Sequence, residues 1–114
     1  MKLLKFEDSQ KFGNSDKCTV IEYPLGDKDI NFSTAFLTGR YPNEGYCVND
    51  ECKELIYVID GTGSLNKKDE KIEFKKGDVI LIDIGEKFYW DAHCTIAMHC
   101  TPAWYPEQYK LINE

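Results

Sequence analysis

Two histidines and five cysteines are the residues in this 114-residue chain best suited to hold a metal or attack a substrate. Their spacing limits them. His93 and His99 are six apart, as are Cys94 and Cys100, in a segment that alternates soft and polar residues as a strand does. At about 3.3 Å per residue each pair spans roughly 20 Å, too far for one ion to bridge. His99 and Cys100 also point to opposite faces of a regular strand. The cysteine count is odd, the spacings are irregular and no secretion signal precedes them. That pattern reads as free thiols in a reducing cytosol, and most of them as small core residues. Arg40, within Gly39-Arg40-Tyr41-Pro42, could clamp a carboxylate or phosphate. Trp104, Tyr105 and Tyr109 could stack on a sugar ring or pack on their own or a neighbour's sheet. The chain has no phosphate-binding loop, dinucleotide glycine fingerprint or nucleophile elbow.

The elements that must position these residues are strands. From Glu54 to Trp90 three apolar runs, Leu55–Ile59, Ile72–Phe74 and Val79–Ile84, alternate with turn-like stretches. Those stretches are Asp60-Gly61-Thr62-Gly63, Asn66–Lys71, Lys75-Lys76-Gly77-Asp78 and Gly85-Glu86-Lys87. β-branched and aromatic residues with turns at this frequency predict an all-β sandwich or barrel. Upstream, 18–25 reads as a strand with Val20, Glu22 and Pro24 on one face. In 31–41, Phe32, Thr34, Phe36 and Thr38 share one face and Ser33, Ala35 and Leu37 the other. Residues 46–53 form a loop or irregular strand. In 93–101 alternation turns Cys94, Ile96, Met98 and Cys100 to the core, and Asp91 is expected to cap a turn before His93 or else to continue a pocket edge. Residues 103–114 are an aromatic tail with a helical turn after Pro106. No repeat or linker interrupts 1–114, which reads as one domain.

A net charge of −6 and a pI near 4.9, with lysines and acids interspersed, exclude the basic footprint of a nucleic-acid partner. Met1-Lys2-Leu3-Leu4 runs at once into Lys5, Glu7 and Asp8. It is neither a signal-peptide core nor a membrane span, so a cytoplasmic location is expected.

Glu54 followed after six residues by Gly61, and Gly77-Asp78 followed after Val79–Asp83 by Ile84-Gly85, resemble the two half-motifs of the cupins. The match covers about residues 40–102, and YVIDGTG and KKGDVILI carry most of it. The resemblance implies a jelly-roll β-barrel (double-stranded β-helix), paired as a homodimer, with a metal or small-molecule site in its mouth. In metal-binding cupins two histidines, a glutamate and a third histidine hold the ion. Here the paired-histidine positions fall on Val48 and Asp50, or on Cys47 and Asn49. The third falls on Phe88, which has no donor atom. Only Glu54 remains, so the four-ligand shell cannot form. A rebuilt set of Cys47, Asn49 or Asp50, and Glu54 would offer three ligands of mixed softness to zinc or iron.

Without a metal, the resemblance points Glu54 into an apolar barrel beside Phe88 and Trp90, near Cys100. Burial raises a carboxyl pKa and makes such a group a general acid–base candidate. The alternative places Glu54 at the rim or paired with a cation such as Arg40. Alternation gives Phe88 and Trp90 one face and Tyr89 the other. The site expected is therefore Glu54 walled by Phe88 and Trp90, with Cys47, Asn49 and Arg40 about it. The expected function is binding of a small molecule, a sugar derivative or carboxylate, with no cofactor. Two alternatives stay open: an isomerase, epimerase or lyase using Glu54, and a metal-dependent protein using Cys47, Asn49 and Glu54.

Overall fold

The computed structural model describes residues 1–113; the last residue of the tail expectation, Glu114, lies outside them. Among the described residues nine strands form. They are β1 (Gln10–Ser15), β2 (Cys18–Tyr23), β3 (Asn31–Tyr41), β4 (Tyr46–Asn49), β5 (Lys53–Asn66), β6 (Lys71–Lys75), β7 (Val79–Ile82), β8 (Lys87–Thr101) and β9 (Tyr109–Ile112). Two short 3-10 turns, Phe6–Asp8 and Pro106–Gln108, complete the regular structure. The fold is the all-β, cupin-type barrel.

The long strand β8 organises the sheet. All of β3 pairs with it antiparallel on one side, Asn31 against Cys100 through Tyr41 against Trp90. On the other side β5 pairs from Lys53 against Thr101 to Asn66 against Tyr89. Beyond β3 lie β2 and then β1; beyond β5 lie β7 at one end and β6 at the other. The start of β8 also pairs with β4, which pairs with β9. The sheet curls so that one face lines the interior. Val20, Ala35, Leu37, Val58 and Ile96 are buried there, while Phe32, Phe36, Leu55, Tyr57, Val79 and Leu81 face outward. Strict alternation in β3 and β8 produces this sorting, since successive side chains take opposite faces.

Two expected turns are absent. Asp60-Gly61-Thr62-Gly63 lies inside β5, which makes a bulge between Val58 and Asp60 and continues. Its glycines serve close approach to β8. A Cβ on Gly61 would sit 2.1 Å from the His93 carbonyl oxygen, and one on Gly63 would sit 2.2 Å from the Ala92 Cβ. Asp91 caps no turn. It stands mid-strand in β8 opposite Arg40, because β8 runs unbroken from Lys87 to Thr101. All five cysteines are buried and free. Among the described residues no helix is long and apolar enough to cross a membrane.

Candidate functional site

A cavity of about 680 Å³ opens along the inner face, within the range of small-molecule sites. Glu54, Phe88, Trp90 and Cys47 all line it. Glu54 reaches it because the second residue of β5 takes the inward face, between Cys100 of β8 and Ile82 of β7. Phe88 and Trp90 meet edge to face with ring centroids 6.4 Å apart, and Phe74 closes on the other side of Trp90 at 5.7 Å. The indole is thereby fixed as a wall, only 5% exposed.

Behind Glu54 lies a chain of amides. Gln108, from the 3-10 turn after Pro106, is buried, and its Oε1 accepts the backbone N–H groups of Glu51 and Cys52, each at 3.2 Å. Two backbone donors fix which end of that amide is oxygen. The Gln108 Nε2 must then donate, and it does so to Asn49 Oδ1 at 2.9 Å. Asn49 is oriented in turn, and its Nδ2 donates to Glu54 Oε1 at 2.7 Å. One carboxyl oxygen is therefore held from behind. Burial holds the Glu54 pKa above the usual carboxylate range; the Asn49 bond works against this and the charge of Glu22 adds to it.

Glu22 of β2 is also part of the site. Val20, Glu22 and Pro24 share a face, and all three line the cavity. A carboxylate continuing an apolar row was the available signal. Burial raises the Glu22 pKa as well. The aromatic tail closes this end of the barrel. Trp104 and Tyr109 line the cavity with their rings 5.8 Å apart, and the Tyr109 hydroxyl lies 3.5 Å from that of Tyr41.

Arg40 is not brought to the site. Alternation in β3 turns it outward, where it donates to the carbonyls of Pro42 at 2.7 Å and Gly45 at 3.1 Å. Its guanidinium lies 3.7 Å from the centre of the Tyr89 ring. It neither clamps a ligand in the cavity nor pairs with Glu54.

Cys47, Asn49 and Glu54 do not fit a cation shell. The Cys47 thiol is already engaged, donating to the Phe88 carbonyl at 3.3 Å. Asn49 presents N–H donors, not its oxygen, toward Glu54. Asp50 is exposed. Among the described residues no three His, Cys, Asp or Glu side chains come together as a cation site.

No family model matches the chain, and no curated protein does at the level of sequence. Solved structures match its fold. The Streptomyces PAC13 structure with uridine superposes with a TM-score of 0.88 over 99% of this chain and 91% of that one, at 14% identity. PAC13 is described as a nucleoside dehydratase. The polyketide cyclase RemF from Streptomyces resistomycificus gives 0.75 over 100% of this chain and 87% of the other, at 16% identity. An RmlC-like cupin from Shewanella frigidimarina gives 0.73 over 90% and 93%, at 12% identity. These likenesses identify the architecture as that of small cupin-type domains.

Proposed function

We propose that this chain binds a small hydroxyl-bearing ring compound, a sugar or nucleoside-like molecule, in its cavity, and that Glu54 moves a proton on it as a lyase or isomerase does. The observation that supports this is the oriented carboxyl. Asn49, itself held by Gln108, donates to one oxygen of Glu54, which leaves the other for a ligand and for the exchangeable proton. Burial moves the group away from permanent ionisation, and a general acid–base must be able to hold either form. Phe88, Trp90 and Trp104 offer flat apolar walls to a ring. The neighbours supply a parallel: one was crystallised with uridine and another is an ectoine synthase.

The test uses uridine and a panel of free nucleosides and sugars, with tryptophan fluorescence for binding and mass spectrometry for product. At least one panel member is expected to bind and be converted, and Glu54→Gln is expected to bind it without turnover. Binding with no conversion by the wild type would make the chain a binding module. No response at millimolar concentrations would overturn both. The reading routes no step through a cation; stoichiometric zinc, iron or manganese in untagged protein would overturn that part. Free thiols support a reducing compartment such as the cytoplasm.

A second copy of the chain is the partner we assign to the outer face. Phe32, Phe36, Leu55, Tyr57, Val79 and Leu81 are 39–63% exposed on adjoining strands β3, β5 and β7 around β8. Their exposed surface is on the order of 600 Å², large for a monomer and near the ~800 Å² each partner gives a standard interface. His99 on the same face has a buried Nε2 without a partner. Light scattering is expected to give a dimer for the wild type and a monomer for Leu81→Lys; a wild-type monomer at micromolar concentration refutes the assignment.

A further inference from the structure

Each charged side chain on the cavity wall is an acid. Glu22, Asp27 and Glu54 line it, and among the described residues no lysine, arginine or histidine does. Arg40, the chain's one arginine, is held on the opposite face of the sheet by two carbonyls and the Tyr89 ring. The acids are not scattered. Glu22 of β2 sits opposite Ser33 of β3, and Asn31, two residues back on the same face, stands opposite Cys100, itself opposite Glu54. The Asn31 Oδ1 is buried without a hydrogen-bond partner and belongs to the same lining.

These groups ask for the same thing. An ionised carboxylate accepts hydrogen bonds and donates none, and an amide oxygen without a partner also lacks a donor. A ligand that brings hydroxyl or N–H groups satisfies them. A phosphate or carboxylate brings more acceptors and more negative charge into a partly dry space. At about 5 Å from an ionised acid there, Coulomb repulsion weakens binding by on the order of a hundredfold or more.

We infer that the cavity selects uncharged or positively charged ligands rich in hydroxyl or N–H donors and rejects phosphorylated and carboxylated ones, with Glu22 as the wall residue that enforces the choice. The choice deepens the function proposed above and rests on it for the existence of a ligand. The sign of the wall is measurable without one. Glu22 and Glu54 line the same cavity, so one bound molecule can meet both acids. Of the two ligand classes left open by the sequence, this wall favours the sugar derivative over the carboxylate.

The chain has two tryptophans, Trp90 and Trp104, and both line the cavity, so its intrinsic fluorescence reports on this wall. Quenching by caesium, iodide and neutral acrylamide would be compared at constant ionic strength, with free N-acetyltryptophanamide as reference. Relative to acrylamide, caesium is expected to quench several-fold better than iodide. Glu22→Gln is expected to raise iodide quenching at least twofold. Glu44→Gln removes the same charge from an exposed position outside the lining and is expected to leave it unchanged. Iodide quenching equal to that of caesium, or equal responses to the two variants, overturns the inference.

A second arm uses calorimetry with uridine and uridine 5′-phosphate. Uridine is expected to bind at least tenfold more tightly, and Glu22→Gln to narrow the gap. Phosphate-bearing ligand bound as tightly as uridine overturns the inference. If neither binds, the nucleoside reading fails, and the quenching result decides the charge of the wall by itself.

Discussion

Replacing Gln108 by leucine tests the amide chain behind Glu54. The side chain is 1% exposed and makes three hydrogen bonds, two from backbone N–H groups and one to Asn49. Leucine fills a similar volume and makes none of them. The Glu51 N–H lies at an exposed residue and can turn to water, but the Cys52 N–H and the Asn49 Oδ1 are buried. A buried polar group left without a partner costs about 1–3 kcal/mol, so the two together place the loss at about 2–6 kcal/mol. That is a large share of the roughly 5–15 kcal/mol that holds a domain folded. Urea unfolding at several pH values measures it. The loss should grow as pH rises. With Asn49 no longer aligned, Glu54 loses the bond that favours its ionised form, and its folded pKa climbs further above the ordinary value. A carboxyl with a raised folded pKa gives up stability as pH rises through that pKa. A loss below about 1 kcal/mol, or one that does not change with pH, would refute the argument that Gln108 orients Asn49 and Asn49 orients Glu54.

Other expectations follow from the same structure. Glu54→Gln keeps an acceptor for Asn49 but cannot ionise, so above the usual glutamate pKa of 4.5 its stability should fall less with rising pH than that of the wild type; parallel unfolding curves across pH would exclude a buried, raised carboxyl. Gly63→Ala drives a methyl to 2.2 Å from the Ala92 Cβ across the β5–β8 ladder and should cost about 1–3 kcal/mol or more in chemical denaturation; an unaffected midpoint would refute the close approach. Burial pushes the Cys18 and Cys94 thiols up to about 11 and Cys47 to about 12. Ellman's reagent at pH 8 should therefore label the native chain far more slowly than the unfolded one, which yields five thiols; fast labelling of two or more native thiols would contradict the burial.

The sheet was legible in the sequence wherever one face is buried, because alternation then writes itself into residue type. Ser33, Ala35 and Leu37, and Cys94, Ile96 and Cys100, face the interior as their pattern indicates. The same rule places Arg40 on the outer face, since it lies three residues from the inward Leu37, whereas Tyr41 lies four away and turns inward. Asp60–Gly63 misleads because glycine serves turning and close approach equally, and composition cannot tell them apart. The Gln108–Asn49 contact joins residues 59 apart in sequence and has no local signature at all. Glu22 was visible as a break in an apolar row, but a single acid on a strand face has no meaning until the cavity beneath it is known.

Strand β8 has a consequence for how the chain reaches this structure. Phe32 must find His99, and Lys53 must find Thr101, before either half of the main sheet has its centre. Such distant pairings make for slow acquisition of structure, in the millisecond-to-second range of β-rich domains. Until residues 87–101 dock, β3 and β5 each carry an open edge beside uncovered Phe36 and Tyr57. During synthesis and refolding, the hazard is therefore pairing between the edges of different chains, and dilution or a binding chaperone would be expected to raise the yield.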